Sequence, residues 1–290
     1  MRALVLSGGG SKGAYQTGAL KYLLGDLEHK YEILCGVSVG AINCSFISQF
    51  VLGQEKQCAD ELCALWAQLS SKSIYKRWFP FGVWHSLWRS SFFDSSPLYK
   101  LIYSKISLEK IRASGKQISV GAVSLSSGKY TIFDQSHNNF IDAVIASASF
   151  PGMLTPVKIG DQLWIDGGIK EISPIRTAIE LGATDIDIII TSPRTRIRKF
   201  IEDPNTVDVL KRSIDLSTDK IMSNDIEKVV MYNKLAQAGV SDKKFVKLNI
   251  IRPEFNLIED LLDFAPEKIK EMFEKGYNDA RNNYLVNIPV

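Results

Sequence analysis

Twice within its first forty residues the chain runs a short apolar strand into glycines and then directly into a helix. Arg2 to Ser7 reads as a buried strand closed by Gly8-Gly9-Gly10-Ser11-Lys12-Gly13. Ile33 to Val37 repeats the move, passing through Gly36-Val37-Ser38-Val39-Gly40. Between them, Ala14 to Asp26 carries apolar residues at helical spacing (Ala19, Leu20, Leu23, Leu24), and Ala41 to Gln68 reads as one long helical tract. Strand, helix, strand, helix at this spacing favours a parallel sheet joined by right-handed crossovers.

The rest of the chain extends that pattern. Further strands are expected at Ile118–Val123, Tyr130–Asp134, Leu163–Asp166, Ile186–Thr191 and Phe245–Ile250, with hairpin turns at Ser126-Ser127-Gly128 and Gly160-Asp161. Helices are expected at Phe140–Ala148, Ile175–Leu181, Val207–Gln237 and Pro266–Asn283. No repeat, low-complexity tract or linker divides the 290 residues, so a single α/β/α domain with a central, mainly parallel sheet is expected. Its motif-bearing core spans about 1–200 and its helix-rich C-terminal part about 201–290.

Gly36 to Gly40 has the G-x-S-x-G frame of a nucleophile elbow, in which a serine tops a tight strand-to-helix turn. An ordinary βα turn with a helix-capping serine is the competing reading. Gly8 to Gly13 leads into a helix and directs backbone N–H groups at any negative charge in front of it. Ser38 lacks the expected base. The three histidines, His29, His85 and His137, all fall too early for a late triad histidine. A carboxylate held in a dry pocket can replace an imidazole, because desolvation raises its basicity. Asp166, at the end of the apolar run Trp164-Ile165 and before Gly167-Gly168, is the candidate. A simple turn would explain the same three residues.

Taken together these residues resemble the patatin-like phospholipase family. That family joins a glycine-rich oxyanion motif, a G-x-S-x-G serine and a D-G-[AG] aspartate in this order, matched here by Gly8–Gly13, Gly36–Gly40 and Asp166–Gly168. Ala146-Ser147-Ala148-Ser149-Phe150-Pro151 is similar to its A-S-x-[AS]-x-P segment. The resemblance implies a three-layer patatin-like fold and a lipid acyl hydrolase of the phospholipase A or lysophospholipase type. It implies Ser38 as nucleophile, Asp166 as its direct base, and Gly8, Gly9 and Gly10 as the oxyanion hole. Gly13, Gly36, Gly40, Gly167 and Gly168 support the motifs. Lys12 either adds positive potential at the oxyanion or is a solvated lysine at a helix start.

The competing readings of the glycines fail on their partners. A dinucleotide fold wants an acidic residue closing the second strand, where this chain has Cys35-Gly36-Val37-Ser38. A phosphate-binding Walker loop wants Lys-Ser or Lys-Thr after its last glycine, and here Ala14-Tyr15 follows Gly13. No metal-ligand spacing occurs, and no cofactor is expected. The four cysteines, Cys35, Cys44, Cys58 and Cys63, read as reduced apolar fillers.

A net charge of +3 is too small to argue for nucleic acid. From Tyr75 to Phe93 an aromatic stretch punctuated by Lys76, Arg77 and Arg89 includes Trp78, Phe79, Trp84 and Trp88. It reads either as a lipid-facing lid or surface or as core filling. The absence of a signal peptide or membrane span points to a cytoplasmic protein with peripheral membrane contact. The alternatives to lipid ester hydrolysis are an acyl-thioesterase or acyltransferase, and a non-catalytic lipid-binding or regulatory protein. Oligomeric state is left open.

Overall fold

The computed structural model describes residues 1–78, 88–194, 206–239, 245–258 and 260–286. Eight strands form one sheet: β1 (Arg2–Leu6), β2 (Ile33–Gly36), β3 (Gln117–Ser124), β4 (Tyr130–Asp134), β5 (Val157–Ile159), β6 (Gln162–Asp166), β7 (Asp185–Ile189) and β8 (Lys247–Ile251). The strand order is β5-β6-β3-β2-β1-β7-β8, with β4 also paired to β3. From β3 through β2, β1 and β7 to β8 every pairing is parallel, as the early repeat requires. The two hairpins beyond are antiparallel, because their turns are too short for a crossover.

Strand alternation explains the layers. Leu4, Leu6 and Leu34 point to one face, while Ala3, Val5, Ile33, Cys35, Ile186 and Ile188 point to the other, and all are fully buried. A sheet buried on both faces needs helices on both. The first face is covered by α1 (Gly13–Leu20, continued by a π-helical segment Lys21–Asp26), α2 (Val39–Ile47) and α3 (Glu55–Ala67). A short α4 (Ser71–Ile74), α5 (Ser96–Lys105), α6 (Leu108–Ala113), α7 (Phe140–Ser147) and the C-terminal α10 (Pro266–Val286) complete that layer. The second face is covered by α8 (Ile175–Glu180) and α9 (Thr206–Gln237), through Ile175, Ala178, Met222 and Val229.

One expectation needs correction, and the structure adds elements that the sequence did not indicate. The tract Ala41–Gln68 is two helices, interrupted where Gly53 turns at φ +99 and donates its N–H to the Glu55 carboxylate. Strand β5 was hidden because three residues with one exposed lysine carry too little alternation to read. The short α4 precedes the aromatic stretch and α5 and α6 follow it; none of the three is among the helices expected from the sequence.

One topological detail decides where the site forms. Ser119 and Val120 pair with both β2 and β4, and Ala122 and Val123 pair with both β4 and β6. A strand has only two edges, so β2 and β6 lie end to end along the same edge of β3. β2 runs parallel to β3 and stops with Gly36 opposite Val120; β6 runs antiparallel and stops with Asp166 opposite Ala122. Their C-terminal ends meet at Gly121.

Candidate active site

The serine sits on a strained turn. β2 ends at Gly36, α2 starts at Val39, and between them Ser38 adopts φ 57 and ψ −129, a conformation that side-chain-bearing residues rarely hold. The turn closes only because two side chains are missing. A Cβ on Gly40 would collide with the Leu6 carbonyl, and one on Gly36 with the Gly40 carbonyl. The Ser38 backbone N–H donates to Ser147 Oγ at 3.0 Å.

The carboxylate arrives from the other side of the gap. Asp166 is 2% exposed, and its backbone N–H donates to the Ser149 carbonyl at 3.0 Å. Ser147 and Ser149 thus hold the backbones of both Ser38 and Asp166, which gives the Ala146–Pro151 segment a physical role. Burial pushes the Asp166 carboxyl up to about 7; hydrogen bonds from the Ser38 hydroxyl and the Gly168 N–H pull in the opposite direction without cancelling it. The Gly168 bond to Oδ1 is 2.7 Å. Gly167 passes so close to the Gly121 carbonyl that a Cβ there would collide with it.

The glycine loop closes the site from the end of β1. Gly8 packs on the serine, a Cβ there falling 3.2 Å from Ser38 Cβ. Its N–H is committed to the Ile172 carbonyl at 3.2 Å. Among the described residues the N–H groups of Gly9 and Gly10 have no acceptor, so of the three glycines these two are available to a ligand. Gly10 holds φ +56 against Leu261, whose carbonyl accepts the Ser11 N–H at 2.8 Å. Gly13 opens α1 against Trp66 and Val39. Lys12 is 3% exposed and lines the cavity, which rules out a solvated helix-start lysine.

A buried polar chain fixes these pieces to one another. Gln16 donates to the Ser7 carbonyl at 2.7 Å, Asn43 to Gln16 Oε1 at 2.9 Å, and the Trp66 indole to Asn43 Oδ1 at 2.9 Å. It ties the end of β1 to α1, α2 and α3 with each named side-chain group paired, which is what a buried network needs to add rigidity rather than cost stability. It has no signal in the sequence, because its four residues come from four separate parts of the chain.

These groups open on a cavity of about 340 Å³ lined by Gly8, Gly9, Gly10, Ser38, Asp166 and Gly168. Away from them its wall is mainly apolar, with Lys105, Thr218 and Asp260 among the exceptions. Val39, Ile42 and Phe46 line it from α2, and Leu98, Leu101 and Ile102 from α5. A polar cluster beside an apolar wall suits an acyl chain carrying an ester.

The two described histidines stand elsewhere. His29 lies 3.6 Å from Asp187 and His137 3.1 Å from Asp134, and neither lines the cavity. His85 lies outside the described residues, as do Phe79 and Trp84. Of the aromatic stretch, Trp78 is turned inward, its indole donating to the Ser91 carbonyl at 3.0 Å with Arg89 over the ring. Trp88 is 82% exposed, and Phe92, four residues on, is exposed yet lines the cavity. Among the described residues no helix is long and apolar enough to cross a membrane.

Residues 4–179 match the family model described as patatin-like phospholipase. The chain is 24% identical over 274 residues to "Probable lipid hydrolase 463L" of Invertebrate iridescent virus 6, covering 86% of this chain and 92% of that protein. It is 25% identical over 197 residues to "Uncharacterized protein YjjU" of Escherichia coli (strain K12), covering 66% of this chain and 52% of that one. Among solved structures, VipD from Legionella pneumophila aligns with a TM-score of 0.47 at 13% identity, over 98% of this chain and 67% of VipD.

Proposed function

The chain belongs to the patatin-like phospholipase family and is a hydrolase acting on lipids; from that premise we propose that it cleaves carboxylic esters of phospholipids or lysophospholipids through a Ser38–Asp166 dyad. The observation that carries this reading is the buried Asp166 carboxyl, raised to about 7 and hydrogen-bonded to a serine held on a strained elbow. A base is most effective when its pKa lies near the working pH, and about 7 meets that condition.

The steps balance with these groups alone. Ser38 Oγ attacks the ester carbonyl carbon while its proton passes to Asp166. The carbonyl oxygen becomes an oxyanion facing the Gly9 and Gly10 N–H groups; each such donor is worth about 3–4 kcal/mol at the transition state. As the intermediate collapses, the C–O bond to the alcohol breaks and Asp166 returns the proton to the leaving oxygen. Water then attacks the acyl-serine, losing its proton to Asp166, and the free acid departs as Ser38 regains its hydrogen. The apolar wall along α2 and α5 holds the acyl chain throughout.

A fluorophosphonate probe is expected to label wild-type protein on Ser38 and to leave Ser38→Ala unlabelled, with peptide mass mapping as the readout. Labelling of a different serine, or none, would sink the dyad. Turnover of a panel containing phospholipid, lysophospholipid, p-nitrophenyl esters and acyl-CoA separates ester hydrolysis from the thioesterase or acyltransferase reading.

The exposed Trp88 and the cavity-lining Phe92 support a peripheral lipid contact at the entrance. Trp88→Ser is expected to lower vesicle binding and turnover of aggregated lipid several-fold, while p-nitrophenyl butyrate hydrolysis stays within about twofold. Equal losses on both substrates would assign Trp88 to packing instead.

A further inference from the structure

The dyad reading leaves unexplained what aims the Gly9 N–H. A glycine-rich loop has little intrinsic preference for one peptide orientation, because glycine populates both signs of φ with similar ease. Something outside the loop has to choose.

The candidate is a buried hydroxyl pair at the junction of β1 and β7. Thr191 Oγ1 donates to the Gly8 carbonyl at 2.6 Å, and Ser7 Oγ donates to the same carbonyl at 3.1 Å. Ser7 Oγ in turn accepts the Thr191 N–H at 3.1 Å, and the Ser7 N–H donates to the Ile189 carbonyl at 3.2 Å. Both side chains are buried, Ser7 at 0% and Thr191 at 1% exposure. With the Gly8 N–H on the Ile172 carbonyl, both polar groups of Gly8 are fixed.

In a trans peptide the carbonyl of one residue and the N–H of the next point in opposite directions. Anchoring the Gly8 carbonyl on Thr191 therefore turns the Gly9 N–H away from Thr191. That N–H has no acceptor among the described residues, and Gly9 lines the cavity beside Ser38. Thr191 also stands where a Gly9 side chain would be, so position 9 is restricted to glycine by the same group that orients its peptide. We infer that Thr191, backed by Ser7, is the positioning residue for the oxyanion donor of Gly9: although it lines the cavity, its hydroxyl proton is given to the Gly8 carbonyl, and it acts through the Gly8–Gly9 peptide. This inference rests on the reading of Ser38 as nucleophile and Gly9 as oxyanion donor.

The test is steady-state kinetics on p-nitrophenyl butyrate with Thr191→Ala, Thr191→Ser, Ser7→Ala and Ser38→Ala, together with inhibition by an alkyl trifluoromethyl ketone. The ketone forms a tetrahedral adduct that bears the oxyanion, so its affinity reports the donors. Loss of a whole oxyanion donor costs about 10²–10³ in kcat, and a misaimed one is expected to cost about tenfold or more. Thr191→Ala should lower kcat by that factor with KM within about twofold, and should weaken ketone binding in parallel. Thr191→Ser, which keeps the hydroxyl, should recover both. Ser7→Ala removes the second donor and the Thr191 N–H acceptor, so it should shift the same two quantities even if Thr191→Ala folds poorly. Unchanged kcat and ketone affinity in folded Thr191→Ala, a loss confined to KM, or no recovery in Thr191→Ser would each overturn the inference. Full activity of Ser38→Ala would instead overturn the dyad reading on which it rests.

Discussion

Asp166→Asn is expected to lower turnover by on the order of 10²–10⁴-fold while making the protein more resistant to unfolding at pH 8. The two effects have one cause. A carboxyl raised from 3.8 to about 7 by burial holds its proton more tightly in the folded chain than in the unfolded one. Between those values the folded state binds more protons, so this group's contribution to stability falls as pH rises and is fully lost above about 7. The difference between about 7 and 3.8 corresponds to about 4 kcal/mol. Asparagine has the shape of the neutral acid and no charge to desolvate. Its advantage should be absent near pH 3, grow through the acid range and level off above about pH 8. Glu171 and Asp225, raised by burial to about 7 and about 6, impose the same slope on parent and variant, so their difference isolates Asp166. Urea titrations at pH 4 and 8 measure it. Identical stabilities at pH 8 would show that the carboxylate is not desolvated as described. In the parent, log kcat/KM should climb with a slope near one below about pH 7 and flatten above it, because only the ionised base accepts the serine proton.

Asp187→Ala is expected to cost about 3–5 kcal/mol of stability, the scale for removing one partner of a buried ion pair. Asp187 lies in β7 beside Leu4 of β1 and is fully buried. Its Oδ2 accepts Arg2 Nε at 3.0 Å, Arg2 Nη2 at 2.8 Å and the Tyr31 hydroxyl at 2.6 Å, while Oδ1 accepts Asn249 Nδ2 at 2.9 Å. One carboxylate thus joins β1, β7, β8 and the chain entering β2. Alanine would remove the one acceptor that the Arg2 guanidinium and the buried Tyr31 phenol share, while Asn249 keeps its 3.2 Å bond to Asp185. The specific activity of the fraction that remains folded should stay near the parent's, since none of these groups lines the cavity. Denaturant midpoints and active-site titration measure the two quantities. A loss under about 1 kcal/mol would mean that solvent reaches the pair and compensates it.

The chemistry-bearing motifs were more legible than the frame that unites them. Gly36, Ser38 and Gly40 could be read because a tight turn imposes a local spacing, and Asp166 because an apolar strand delivers it to glycines. The parallel strands showed themselves as apolar runs, as doubly buried strands do. Ser147, Ser149 and Thr191 were harder: each acts through a backbone group far away in sequence, and a serine in a helix or a threonine after a strand has no pattern of its own. The chain Gln16–Asn43–Trp66 was hidden for the same reason. Gly53 gives no break signal of its own, because an isolated glycine in a helical pattern is often tolerated.

The end-to-end placement of β2 and β6 along one edge of β3 has a consequence for when the protein becomes active. Neither strand carries a site; the site is the gap between their ends, and only β3 measures that gap. A slip of β6 by one residue would move Asp166 by about 3.3 Å and turn its side chain to the opposite face. Contacts so distant in sequence are made late in folding, since loop closure must come first. A nascent or partly folded chain therefore holds its serine and its carboxylate apart. On the proposed dyad reading the lipid hydrolase is thereby born inert, and completing the sheet arms it.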